Sequence, residues 1–293
     1  MAIFIDESSR VIMQGITGKI GNVFAERMAK HYKTFVGGVT PGKAGQEVFG
    51  KPVFNTVNSA VKELDANTSI VVVAAPYVKD AVMEAVDAGI KTIWAYTDRV
   101  PVHETLEMVH YAKLFGVRLI GPNSAGIVSP GKASASELSE YQLPLKEGSV
   151  GVLSKSGSLS YEVINMIYDA GFGFTTIICI GGDPVPGTTL KESMEAFRDD
   201  ADTRAVVLLG EIGGTDEIDC IDVIKTMEKP VIAYISGHCA PVQRAMGHAG
   251  AIIDGANDTA DVKTKLLAEA GVNAVYCVED IPKALTKLTI QHI

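Results

Sequence analysis

Short apolar runs recur along the chain, and between them the apolar positions fall at helical spacing. In the first half the runs are residues 10–15, 34–39, 69–76, 92–97 and 118–122, rich in Val and Ile with little polar alternation. Continuous runs of this kind are strands buried on both faces of a sheet. Helices are predicted after the first run to about residue 30, over 79–88 with Gly89 as the stop, and over 104–115. Residues 125–146 then shift to Ser, Pro, Gly and charged residues, the composition of a linker or surface excursion. Alternation resumes with strands predicted at 149–153, 175–180, 205–209, 231–235 and 274–278. The helices between them are expected at 159–170, 190–197, 217–227, 261–270 and 281–288. The chain therefore reads as α/β: a parallel, doubly wound, Rossmann-like domain over 1–124, the excursion over 125–146, and a flavodoxin-like domain over 147–293.

Composition narrows the function classes. The 293 residues are 47% hydrophobic, enough for two α/β cores, and the net charge of −9 comes without a long basic run. Neither wrapping nucleic acid nor docking on an anionic membrane has an electrostatic drive. Any phosphate must be held locally, by backbone N–H groups and a few placed cations. No apolar run reaches the ~18 residues of a membrane span, and the first residues lack a secretory pattern, so a soluble, cytoplasmic protein is expected. Cys179, Cys220, Cys239 and Cys277 are too widely spaced for a disulfide framework or a zinc site, and no metal site is expected.

Candidate chemistry lies at the strand ends. Gly15-Ile16-Thr17-Gly18-Lys19-Ile20-Gly21 links a strand to a helix with the spacing GxxGxxG, a turn whose N–H groups form an anion site. The next strand ends in Thr40-Pro41-Gly42-Lys43, with a cation where an NAD enzyme places an acid for the ribose hydroxyls. Lys43 suits a ligand with an extra phosphate near the ribose, such as NADP or coenzyme A; otherwise it is a solvated loop residue. Residues 37–43 and 126–132 match G-x-x-x-x-G-K, but Ala44 and Ala133 follow where a P-loop needs a hydroxyl for Mg²⁺. Pro76 and Tyr96, Thr97 and Asp98 fall on the same carboxyl edge as the glycine turn.

In the second half, Ser154-Lys155-Ser156-Gly157-Ser158-Leu159-Ser160-Tyr161-Glu162 sits between a strand and a helix, a second anion site at a helix N-terminus. Helix capping accounts for one of its serines. Glu211, after a further strand, is placed to orient an imidazole or to stand solvated in its loop. His248, between small residues in Met246-Gly247-His248-Ala249-Gly250, is open to large ligands and suited to a transient covalent bond; a local hydrogen bond is the alternative role.

These motifs, in this order and together with Gly121-Pro122-Asn123, Ile180-Gly181-Gly182-Asp183-Pro184 and Gly210-Glu211-Ile212-Gly213-Gly214, strongly resemble the α subunit of succinyl-CoA synthetase (succinate–CoA ligase) over nearly the whole chain. The resemblance implies a CoA-binding Rossmann domain, a flavodoxin-like ligase domain, and a separate ATP-grasp β subunit carrying Mg²⁺ and ATP or GTP, as a heterodimer or heterotetramer. It implies CoA contacts at Thr17, Gly18, Lys19, Ile20, Lys43, Tyr96, Thr97 and Asp98, and phosphorylation of His248 beside Glu211. Tyr161 is implied at the acid-substrate site, and Ser156, Gly157 and Ser158 at the phosphate. The implied reaction takes NTP, succinate and CoA to NDP, phosphate and succinyl-CoA through phosphohistidine and an acyl phosphate.

Three departures stand against the family pattern. Ser124 replaces a usual Cys, residues 133–144 lack the usual Gly-Ile-x-Pro-Gly-His, and Val242-Gln243-Arg244-Ala245 replaces a more cationic run before Met246. Sister ligases for malate, citrate or a sulfinate share the architecture. A CoA-binding regulatory protein without turnover is the alternative from another class. An NADP oxidoreductase rests on the glycine turn and Lys43 and leaves His248 without a role.

Overall fold

The computed structural model describes residues 2–138 and 142–291; Ser139, Glu140 and Tyr141 of the expected excursion lie outside the described residues. The first sheet is built from β1 (Val11–Gln14), β2 (Phe35–Val39), β3 (Glu47–Val48), β4 (Lys51–Phe54), β5 (Thr68–Val71), β6 (Thr92–Ala95) and β7 (Arg118–Ile120). Its helices are α1 (Lys19–His31), α2 (Val57–Leu64), α3 (Val78–Asp87) and α4 (Val102–Leu114). The order is β3-β4-β2-β1-β5-β6-β7, parallel except for the β3–β4 pair. Chain growth reverses at β1, so the crevice between the carboxyl ends of β1 and β5 is the topological switch point where such sheets bind ligands. The glycine turn enters α1 there. A Cβ on Gly21 would stand 2.2 Å from the Gly15 carbonyl oxygen, so the close seat of α1 on the turn requires a glycine. Strands β3 and β4 and helix α2 lie outside the elements expected. The strands are short and partly exposed, and Pro52 within β4 breaks the apolar signature.

The second sheet holds β8 (Gly126–Ser129), β9 (Ala133–Ser136), β10 (Glu147–Ser154), β11 (Phe174–Cys179), β12 (Ala205–Glu211), β13 (Val231–Ser236) and β14 (Asn273–Val275). With them come α5 (Gly157–Asp169), α6 (Leu190–Asp199), α7 (Asp216–Asp219), α8 (Ile221–Ile224), α9 (Ala260–Glu269) and α10 (Ile281–Gln291). The order is β14-β13-β12-β10-β11-β8-β9. Strands β10 to β14 are parallel in flavodoxin order, with their switch point between β10 and β12. The helix expected over 217–227 is instead the pair α7 and α8, which meet at Cys220.

The stretch expected as a linker contributes β8 and β9, an antiparallel addition to β11. Every residue of both strands is buried. Its serines look solvent-facing in sequence, but their hydroxyls find partners inside: Ser129 Oγ meets Thr176 Oγ1 at 2.9 Å and Ser136 Oγ donates to the Ala125 carbonyl at 2.6 Å. One apolar cluster runs from Val11 and Ile70 through Trp94, Ile120 and Ile127 to Ile178, so the two sheets share a core. Trp94 is fully buried at this seam, and its indole N–H donates to the Ser124 carbonyl at 2.9 Å. Among the described residues no helix is long and apolar enough to cross a membrane.

Candidate active site

The switch point of the second sheet gathers charge. Strand β12 delivers Glu211 at its carboxyl end, β10 delivers Lys155 one residue past its own, and the loop after β13 brings His248. His248 Nδ1 lies 2.6 Å from Glu211 Oε2. A carboxylate only accepts, so Nδ1 carries the proton and the neutral ring keeps its lone pair on Nε2. Glu211 is 8% exposed, against 28% for the imidazole, so the acid is the fixed partner and the ring the accessible one. Lys155, itself 5% exposed, sits 3.7 Å from the other Glu211 oxygen and 2.9 Å from Asp216. The hydrogen bond to Glu211 holds the His248 pKa above its ordinary value, outweighing burial and the Lys155 charge. Burial pulls the Lys155 pKa down, but the Glu217, Asp216 and Glu211 carboxylates together hold it above the usual lysine value.

The histidine loop passes between two glycines. A Cβ on Gly182 would fall 2.1 Å from the imidazole ring, and one on Gly213 would fall 2.2 Å from the Gly250 carbonyl oxygen. Gly250 N–H donates to the Gly182 carbonyl at 3.1 Å, and Ala251 N–H closes a turn on the His248 carbonyl at 3.2 Å.

A cavity of about 370 Å³ opens beside the ring, lined by His248, Gly157, Ser158, Lys155, Glu137, Asn123, Tyr96 and Asp98 among others. The start of α5 forms one wall, where a helix N-terminus offers unpaired N–H groups and a partial positive charge. The serines there divide their work. Ser156 caps the helix by accepting from Leu159 N–H, while Ser154 and Ser160 both donate to the Ser156 carbonyl, at 2.8 and 2.6 Å. Capping thus takes one serine and bracing two, which leaves exposed Ser158 at the cavity.

Tyr161 is not a lining residue of this cavity. Its hydroxyl donates to the Glu137 carbonyl at 3.2 Å, and burial foremost, with the Glu137 charge, pushes its pKa up to about 12. It braces Glu137, whose carboxyl pKa burial raises despite Arg27 nearby.

The first sheet presents its own edge. Thr17 Oγ1 meets Thr40 Oγ1 at 3.2 Å, tying the glycine turn to the end of β2, while Gly18, Lys19, Ile20 and Lys43 stand exposed. Tyr96 packs edge-on against Phe24 and Trp94, and Thr97 donates back to the Val73 carbonyl at 2.6 Å. Tyr96 and Asp98 therefore reach the His248 cavity, whereas Thr17, Gly18, Lys19, Ile20 and Lys43 lie on the first edge outside its lining. Asp98 and Asn123 also line a second cavity of about 270 Å³ that reaches Gly247 and Ala249 on the histidine loop. Among the described residues no group of three or more His, Cys, Asp or Glu is placed to hold a metal ion.

Comparison with known proteins bears on this arrangement. The model of the CoA binding domain matches residues 6–99, and that of CoA-ligase matches residues 153–273. The α 2 subunit of ADP-forming succinate–CoA ligase from Archaeoglobus fulgidus is 48% identical over 92% of this chain and 94% of its own length. The α subunit from Aquifex aeolicus is 41% identical over 98% and 95%. The chain belongs to the succinate–CoA ligase α-subunit family. A mutant ATP citrate lyase from Methanosaeta concilii, solved with (3S)-citryl-CoA, has the same fold at a TM-score of 0.88 and 21% identity over 99% of this chain. This succinate–CoA ligase family member spans about half, 51%, of that longer chain.

Within the family pattern, Ser124 is internal. Its hydroxyl donates to the Cys179 carbonyl and accepts from Gly126 N–H at 2.9 Å, so the changed residue ties β8 to β11. Glu137, Glu217 and Lys263 were not singled out in the sequence. The first falls in a Ser-rich stretch, and the others look like solvated charges on helix faces, yet Glu217 and Lys263 are both 0% exposed.

Proposed function

We propose that this chain is the phosphohistidine-carrying α subunit of an NDP-forming succinate–CoA ligase, converting NTP, succinate and CoA to NDP, phosphate and succinyl-CoA. The observation that carries the reading is the 2.6 Å contact between His248 Nδ1 and buried Glu211, beside the N-terminus of α5. Nε2 attacks the terminal phosphorus of the nucleotide, an N–P bond forms as the P–O bond to NDP breaks, and the ring becomes cationic. Glu211, accepting from Nδ1–H, stabilises that cation as carboxylates do in catalytic triads. The α5 N-terminus with Gly157 and Ser158 receives the phosphoryl oxygens. Succinate oxygen then takes the phosphoryl group from Nε2, and the CoA thiol displaces phosphate from the acyl phosphate. Two transfers replace one attack by a weak carboxylate nucleophile on the nucleotide.

CoA would be held by Thr17, Gly18, Lys19, Ile20 and Lys43, with Tyr96, Thr97 and Asp98 leading toward the His248 cavity. The exposed turn and its cations fit a phosphate-bearing ligand. Tyr161 acts on the acid through Glu137. The β subunit, in a heterodimer or heterotetramer, supplies the nucleotide and Mg²⁺, which neutralises phosphate charge when bound. A reducing cytoplasm suits the four free cysteines. The departures near His248 leave malate, citrate and sulfinates as acids to be tried beside succinate. The test is a phosphoryl-label chase on the αβ complex with labelled ATP or GTP. The expected result is acid-labile label on His248 discharged by succinate with CoA. CoA binding with no label on His248 from either nucleotide would favour a regulatory protein.

A further inference from the structure

We propose that Lys263 and Glu217 are positioning residues for the phosphohistidine: their buried ion pair fixes the backbone of Glu211 and so aims its carboxylate at His248. The proposal rests on the reading of His248 as the phosphoryl carrier. Both side chains are fully buried and their charged atoms are 2.5 Å apart. The lysine ammonium has three donors, and all are used: Glu217 Oε2, the Glu211 carbonyl at 2.8 Å and the Gly213 carbonyl at 2.7 Å. The second Glu217 oxygen accepts from the Glu211 N–H at 3.0 Å. One ion pair thus holds the backbone on both sides of the residue that meets His248, at the point where β12 ends and its ladder can no longer do so.

A pair of apolar side chains of the same volume is commonly as stable as a buried ion pair, or more so, which makes stability alone a poor account of it. Geometry is the better account. The pinned stretch also ends at Gly213, which abuts the Gly250 carbonyl two residues beyond His248. A shift in this stretch therefore moves the carboxylate and the wall of the histidine loop together. The charged groups that act on the imidazole are Glu211 from β12, Lys155 after β10 and Asp183 after β11. Lys263 donates to backbone and to Glu217, so it does not touch the ring and acts on it through Glu211 and the Gly213 backbone.

The experiment uses the αβ complex with this chain carrying carbon-13 at histidine Cε1. The His248 signal, assigned by its loss in His248→Ala, is titrated, and the rate of His248 phosphorylation is measured beside the KM for CoA. In Lys263→Met/Glu217→Gln the amide keeps an acceptor for the Glu211 N–H and no charge is stranded. The titration midpoint is expected to fall toward the ordinary imidazole value and phosphorylation to slow at least ~10-fold, since small misplacements at a reacting centre are costly. The CoA KM should stay within about 2-fold, because CoA is held on the other sheet. Phe197→Leu, a core change elsewhere in the same domain, should lower the melting temperature and leave the midpoint where it is. An unmoved midpoint in the double variant, or an equal shift in Phe197→Leu, overturns the proposal. If the double variant does not fold, Glu217→Asp draws the carboxylate back while keeping its charge, and an unmoved midpoint there overturns it equally. A midpoint that moves as expected in a complex that never labels His248 would count against the ligase reading and not against the positioning role.

Discussion

The two sheets present their carboxyl edges in opposite ways. The edge of the first is backbone and exposed cation: a glycine turn, a Thr17–Thr40 contact, and Lys19 and Lys43 in solvent. The edge of the second is buried charge: Glu211, Lys155, Glu217 and Lys263 interlock beneath one accessible imidazole. A surface that only holds a phosphate-bearing ligand gains little from rigidity beyond its N–H groups. A surface that must align a nucleophilic nitrogen and stabilise its cation needs its carboxylate fixed from behind. The contrast predicts that damage to the first edge weakens CoA binding in small steps, while damage to the second falls on phosphorylation or on the fold.

The largest effect is expected from Lys263→Met alone. It strands the Glu217 charge in a fully buried site and should cost about 3–5 kcal/mol of stability, read as a lowered melting temperature and a lower denaturation midpoint. A loss below about 1 kcal/mol would show that the second edge is less tightly determined than its contacts imply. Next comes Gly182→Ala, whose Cβ would meet the imidazole at 2.1 Å. Displacing the ring should slow phosphorylation about 10²-fold or more with the CoA KM unchanged.

Glu211→Gln keeps the shape and removes the charge. A loss of roughly 10²-fold in phosphorylation is expected, the scale on which transition-state charge is stabilised by one fixed group. It should also move the pH profile. Nε2 attacks only from the neutral ring, so the wild-type rate rises with pH through a midpoint above the ordinary 6.5, and the variant midpoint falls. The sign carries over to stability. With the folded pKa raised, the His248–Glu211 contribution is complete below the unfolded pKa and is lost as pH rises through the folded one. The smallest effect belongs to Lys43→Ala, about 10-fold in the CoA KM, shrinking with added salt and leaving labelling of His248 untouched. A collapse of labelling in Lys43→Ala would erase the distinction between the edges.

Much of this was legible in the sequence because it is periodic or steric. Unbroken Val and Ile runs mark parallel strands, and the glycines at 15, 18 and 21 mark a turn against which a helix must sit. The serine stretch and Glu211 follow two strand ends, and parallel sheets gather those ends on one edge, whereas the place of His248 beside Glu211 is implied by the family resemblance and not by strand order. What was hidden is what depends on burial. Strands β8 and β9 carry hydroxyls that read as solvent-facing until their partners in the fold are known. Lys263 sits among charges typical of an exposed helix face, and only its three acceptors identify it as internal. Tyr161 stood in a family motif and Ser124 at a departure from one, and the hydroxyls of both are turned to backbone, to the Glu137 and Cys179 carbonyls.

The most direct measurement is the position of the phosphoryl group on the labelled complex, by peptide mapping and phosphorus-31 coupling to nitrogen-15-labelled histidine. The account predicts acid-labile label on His248, bonded through Nε2, absent in His248→Ala and discharged by succinate with CoA. Label bonded through Nδ1, on another residue, or persisting in His248→Ala would contradict it.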